Sequence, residues 1–120
     1  MIRPPLEKRI FETESGPSEI ALFDILWADS TAEGAEHPTC LHLADRTVLC
    51  TKPFESLRPL LGDAFLFCLP YGAVNQLRIR SFESDKIVMD NGEVLEIAPF
   101  LSRKFREKFC RELARRVWED

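Results

Sequence analysis

The chain lacks most of the features that point quickly to a chemistry. No apolar run approaches the roughly 20 residues that cross a bilayer as a helix. The opening MIRPPLEKRIF has no apolar core of the secretory kind, so a cytoplasmic location is expected. Cys40, Cys50, Cys68 and Cys110 form no C-x-x-C pair and show no scaffold spacing, which argues against a disulfide framework. Each lies among apolar neighbours, where a thiol behaves as a small hydrophobe; buried cysteines are expected, with Cys68 the one to test for oxidation. Nucleophile elbow, glycine-rich phosphate loop and acidic metal cluster are all missing. Cys40 and His42 share one strand face with His37 nearby, yet a closed zinc site needs four ligands and the others are not evident. The expectation is a non-enzyme with no cofactor, no metal and no small-molecule substrate.

What is present describes an ordinary globular domain. At 120 residues, 45% apolar and 30% charged, the chain supports one core and one domain. Its net charge of −4 disfavours long-range attraction to nucleic acid. The charge is unevenly spread: Phe100–Asp120 holds seven Lys or Arg against four Asp or Glu, leaving the excess of acid upstream. A local basic face can still bind phosphates.

In chain order, Leu6–Thr13 reads as an edge strand and Glu14–Ser18 as a turn. Glu19–Ala28 (EIALFDILWA) reads as two short strands or a bent one. A polar surface loop, Asp29–Pro38, follows. Thr39–Leu43 and Thr47–Thr51 form a hairpin, with Cys40 and His42 on one face and Leu41 and Leu43 on the other. Lys52–Leu61 has Phe54, Leu57, Leu60 and Leu61 at helical spacing, with Pro59 expected to kink or tighten the helix. Val74–Arg80 alternates so that Leu77 and Ile79 oppose Arg78 and Arg80, the pattern of a strand. Asn91-Gly92 between Ile87–Met89 and Val94–Ile97 predicts a hairpin through a type I′ turn. A last helix over 100–118 carries Leu101, Phe105, Phe109, Leu113 and Val117 as an apolar stripe under a basic surface.

Phe65 or Phe67, Val74-Asn75, Ile79 and Asn91-Gly92, taken in that order, resemble the second half of a LytTR domain, the DNA-binding module of many bacterial response regulators. The Asp-Ile-aromatic run before the Asp29–Pro38 loop resembles the opening of the same family, so the likeness spans about Leu6–Phe109. It implies a mainly β fold of elongated antiparallel sheets, with a short central helix and the C-terminal amphipathic helix. It also implies a standalone module without a phosphorylatable receiver domain.

The resemblance further implies a transcriptional regulator that reads duplex DNA through loops in the major groove, as a dimer on paired half-sites. Carried over by position, the contacts fall at His37, at the triplet Leu69-Pro70-Tyr71 before Val74-Asn75, and at Ala98-Pro99 before the last helix. Asn75 is also a candidate, and Arg78, Arg103 and Lys104 would hold phosphates. The sequence departs from the family where it matters: Pro70 and Pro99 offer no side-chain or backbone donor for base readout, and Glu33 and Glu36 repel phosphates. Structural roles stand beside these: Asn75 as a backbone hydrogen-bonder, Arg78 and Arg80 as a solvated face, His37 as a plain surface residue. The alternative function is a degenerate LytTR-like module for dimerisation or capture of a related regulator, using Leu69, Pro70 and Tyr71 as an apolar contact loop.

Overall fold

A computed structural model describes residues 7–32, 37–69, 71–83, 85–98 and 102–119, with backbone alone at 83, 102 and 112–119. Ten strands and two helices follow one another: β1 Lys8–Thr13, β2 Gly16–Ala21, β3 Ile25–Ser30, β4 Pro38–Leu43, β5 Thr47–Pro53, α1 Phe54–Leu61, β6 Phe65–Leu69, β7 Gly72–Asn75, β8 Ile79–Glu83, β9 Lys86–Met89, β10 Val94–Glu96 and α2 Ser102–Glu119. A seven-stranded sheet runs β2-β1-β5-β4-β3-β7-β6, and a three-stranded one runs β10-β9-β8. Every pairing is antiparallel. The mainly β architecture expected from the sequence is present, and at 41 × 31 × 25 Å it is elongated.

The large sheet is covered on both faces at its β3-β7-β6 end, which explains why those strands are apolar almost without interruption. Ile25, Ala28, Leu41, Phe65 and Ala73 point to one core with Phe54, Leu57 and Leu61 of α1. Their neighbours Leu26, Trp27, Leu66 and Val74 point to a second core with Ile87, Met89, Ile97 and Phe105, so the single core expected from chain length is two, one on each face of the sheet. Strands buried on two faces lose the polar half of the alternation; Ile25–Ala28 is buried at all four positions. β4, the middle strand of the seven, is packed by a core on one face only and keeps the alternation, with Thr39, Leu41 and Leu43 buried and Cys40 and His42 half-buried.

Several expectations are corrected. β1 is flanked by β2 and β5, so β2, not β1, is the edge; Leu6 lies outside the described residues. The strand expected over Val74–Arg80 is broken by a 3-10 turn at Gln76–Arg78. Asn75 causes the break, its Oδ1 accepting the Leu77 N–H at 3.1 Å and turning the chain out of β7. The hairpin at Asn91-Gly92 is not type I′: among the described residues Tyr71 is the sole non-glycine at positive φ, so Asn91 does not meet that turn's requirement, while Gly92 sits at φ +91°. Met89 C=O accepts Gly92 N–H, and Met89 N–H donates to Glu93 C=O. That is a three-residue loop closed by a left-handed glycine. The apolar contact segment does not extend past Tyr71, because β7 starts at Gly72 and Ala73 is fully buried. α1 continues through Pro59 for two more residues and ends at Gly62.

Candidate nucleic-acid interface

β3 lies between β4 and β7, and this position decides what meets at its C-terminal end. Asp29 pairs with Cys40 on one side and with Gly72 on the other. The connection carrying His37 and the β6–β7 turn carrying Tyr71 therefore flank the same strand end. Ser30 N–H donates to Tyr71 C=O at 2.9 Å, and Thr31 N–H to Pro38 C=O at 2.9 Å. A third segment joins them: Ala98 N–H, just before α2, donates to Cys68 C=O at 3.1 Å. The segments expected to touch DNA thus lie at one end of the large sheet. Pro70, Pro99, Glu33 and Glu36 lie outside the described residues.

The side chains presented there are unlike one another. Tyr71 is 47% exposed and Leu69 half-buried. His37 is half-buried and engaged with the surrounding structure. Arg103 and Lys104, in the first turn of α2, are exposed. Arg103 reaches Glu107 at 3.5 Å, an exposed i,i+4 pair of little energetic weight. Lys104 and Lys108 join Arg58 of α1 around a cavity of about 240 Å³ floored by Leu66, Phe67, Cys68 and Phe105. Sequence reasoning missed Arg58. Its guanidinium lies over the Phe67 ring, 4.2 Å from the centroid, and only the folding of α1 onto β6 brings it near α2.

Two expected contacts are elsewhere. Asn75 is fully buried, and its Nδ2 donates to Ile25 C=O at 3.0 Å and Leu22 C=O at 3.4 Å. It therefore cannot present its amide to a base edge, and it sits at the opposite end of β3 from Ser30. Strand rise separates those ends by roughly 15 Å. Arg78 is at that far end too. It donates to both Asp90 carboxylate oxygens and, through Nη1, to Phe23 C=O at 2.7 Å, while stacking over the Phe23 ring. A guanidinium so occupied is a tie between segments, and Arg80 alone of that pair is exposed.

The cysteine expectation holds in part. Cys50 and Cys68 are buried and Cys40 is half-buried, whereas Cys110 is exposed on α2. Burial pushes the Cys68 thiol up to about 12, against smaller lowering effects from its own backbone and from Lys108. The thiolate is the oxidisable form, so Cys68 is the wrong residue to expect oxidised.

No protein-family model and no curated protein matches the chain. Among solved structures it is similar to the LytTr DNA-binding domain of a protein described as a methyl-accepting/DNA response regulator from Bacillus cereus. The two share 19% identity and superpose with a TM-score of 0.67 over 83% of this chain and 94% of that one. The chain has the LytTR fold. No helix among the described residues is long and apolar enough to cross a membrane.

Proposed function

We propose that this domain binds duplex DNA with the loop-bearing end of its large sheet. His37 and Tyr71 face base edges in the major groove, and Arg103 and Lys104 hold phosphates. Lys108 and Arg58 extend that basic side. The supporting observation is the meeting of the connections around His37, Tyr71 and Ala98 at one end of β3, tied by the Ser30–Tyr71 and Ala98–Cys68 hydrogen bonds. The fold shared with a domain described as DNA-binding agrees with it. Dimerisation on paired half-sites belongs to the same reading.

Phosphate contacts position a protein and base contacts specify sequence. A contact end with few side-chain donors, set on a chain of net charge −4, should bind weakly and discriminate modestly. The test is a mobility-shift titration with duplex DNA from about 50 mM salt upward, where counterion release makes phosphate binding strongest. Affinity should fall with a log–log slope of about 3 to 4, as expected for four cations. Lys104→Ala with Lys108→Ala should reduce the slope by about 2. No duplex affinity at about 50 mM salt refutes the reading. Self-association lost in Tyr71→Ala would then favour the protein-contact alternative.

A further inference from the structure

Asp29, Cys40 and His42 come together on the sheet face that also carries Trp27. Register causes it: in the β3–β4 pair Asp29 lies opposite Cys40, and Trp27 opposite His42. The His42 ring stacks on Trp27 with centroids 4.2 Å apart and planes 12° from parallel. Its Nε2 is held 2.8 Å from Asp29 Oδ1. One carboxylate oxygen, the Cys40 sulfur and one imidazole nitrogen all lie within 4.8 Å of one another, and all three residues are half-buried. A hydrogen bond alone accounts for His42 and Asp29. The thiol beside both completes a mixed O, S, N donor set, which suits a tetrahedral borderline cation.

We propose that Asp29, Cys40 and His42 form a Zn²⁺ site with its fourth position open to water. Zinc–ligand lengths of about 2.0–2.3 Å put tetrahedral donors about 3.3–3.6 Å apart, so side-chain adjustments of about 1 Å close the site without moving either strand. The proton balance is simple. Burial first, and the Asp29 charge second, push the Cys40 thiol above its ordinary value. It is protonated at neutral pH and releases its proton to solvent as the Zn–S bond forms. At least this one proton leaves per cation. The site clasps both ends of the β3–β4 connection, since Asp29 precedes it and Cys40 follows it.

The test uses the full chain under reducing conditions and needs no DNA, so it is independent of the DNA-binding reading. Titration with Zn²⁺ by calorimetry should give one cation per chain, and paired buffers of different ionisation heat should report release of at least one proton. Co²⁺ should give the intense visible bands of a tetrahedral site and a sulfur-to-cobalt charge-transfer band. Cys40→Ser, nearly isosteric and checked for folding by circular dichroism, should abolish the charge-transfer band, and Cys110→Ser should leave it intact. His42→Ala should weaken binding by at least about tenfold. A pale octahedral cobalt spectrum, or a charge-transfer band that survives Cys40→Ser, overturns the proposal.

Discussion

The Tyr71 carbonyl accepts the Ser30 amide at 2.9 Å while Tyr71 itself holds φ +56°, in the left-handed region. A left-handed φ is uncommon for a residue that carries a Cβ and is normally taken by glycine. A side chain that is costly to the backbone, exposed, and at the end where the connections converge is placed for contact.

Replacing Tyr71 by glycine separates the two roles. Relief of left-handed strain should leave stability unchanged or raise it by about 1 kcal/mol in urea unfolding. Duplex affinity should drop by about fivefold or more, since an aromatic contact is worth about 1 kcal/mol or more. A stability loss together with unchanged DNA affinity would place Tyr71 in the scaffold instead.

Gly72 is the neighbouring fixed point. A Cβ there would lie 2.8 Å from Ala28 C=O and 2.9 Å from Asp29 Cβ. Both belong to the paired strand β3, so no flexible side-chain end can yield. Gly72→Ala should cost about 3 kcal/mol, at the upper end of overpacking substitutions, and should lower DNA binding through loss of folded protein. Thermal unfolding checks it, and a melting temperature equal to the parent's rejects it.

Local patterns predicted the elements whose partners are local. Alternation over Thr39–Leu43 and helical spacing of Phe54, Leu57 and Leu61 appear as β4 and α1 because each faces one core. Val74–Arg80 misled, because alternation is blind to a side chain that captures a backbone amide two residues ahead, as Asn75 does for Leu77. Arg78 was misread for a second reason: its partners Phe23 and Asp90 are 55 and 12 residues away. The polar run Asp29–Pro38 reads as a surface loop, and only the extension of β3 to Ser30 aligns Asp29 with Cys40 and His42. The gathering of His37, Tyr71 and Ala98 depends on β3 lying between β4 and β7, which no periodicity encodes.

Arg78 ties β8 and the Asp90 turn to the segment before β3, and its side chain is only 15% exposed. Arg78→Ala leaves Phe23 C=O and Asp90 without their charged donor. Hydrogen bonds to charged groups are worth about 1.5–3 kcal/mol, so a loss of about 2 kcal/mol is expected. Arg78→Lys should recover less than half, since an ammonium cannot span two carboxylate oxygens and a carbonyl. Duplex affinity of the folded variant should stay within about twofold of the parent, as under 0.5 kcal/mol is involved. A tenfold affinity loss at unchanged stability would return Arg78 to the contact surface.

The buried thiol of Cys68 gives a pH dependence whose sign follows from linkage. Its folded-state value is raised from 9.0 to about 12, chiefly by burial, so the folded protein holds the proton more tightly than the unfolded chain. The contribution is fully present below pH about 9 and declines as pH rises from about 9 to about 12. The slope is at most about 1.4 kcal/mol per pH unit for this group. Cys50, raised to about 11 by burial and then by Cys40, acts in the same direction. Urea unfolding at pH 8, 9.5 and 10.5 should therefore show a falling limb that is shallower in Cys68→Ala, after a constant offset of about 1 kcal/mol for the lost packing. Groups titrating equally in both proteins cancel in the difference. Parallel limbs would mean that the thiol ionises as easily folded as unfolded. In the same pH 8 sample, iodoacetamide should modify exposed Cys110 first and leave Cys68 until the chain unfolds.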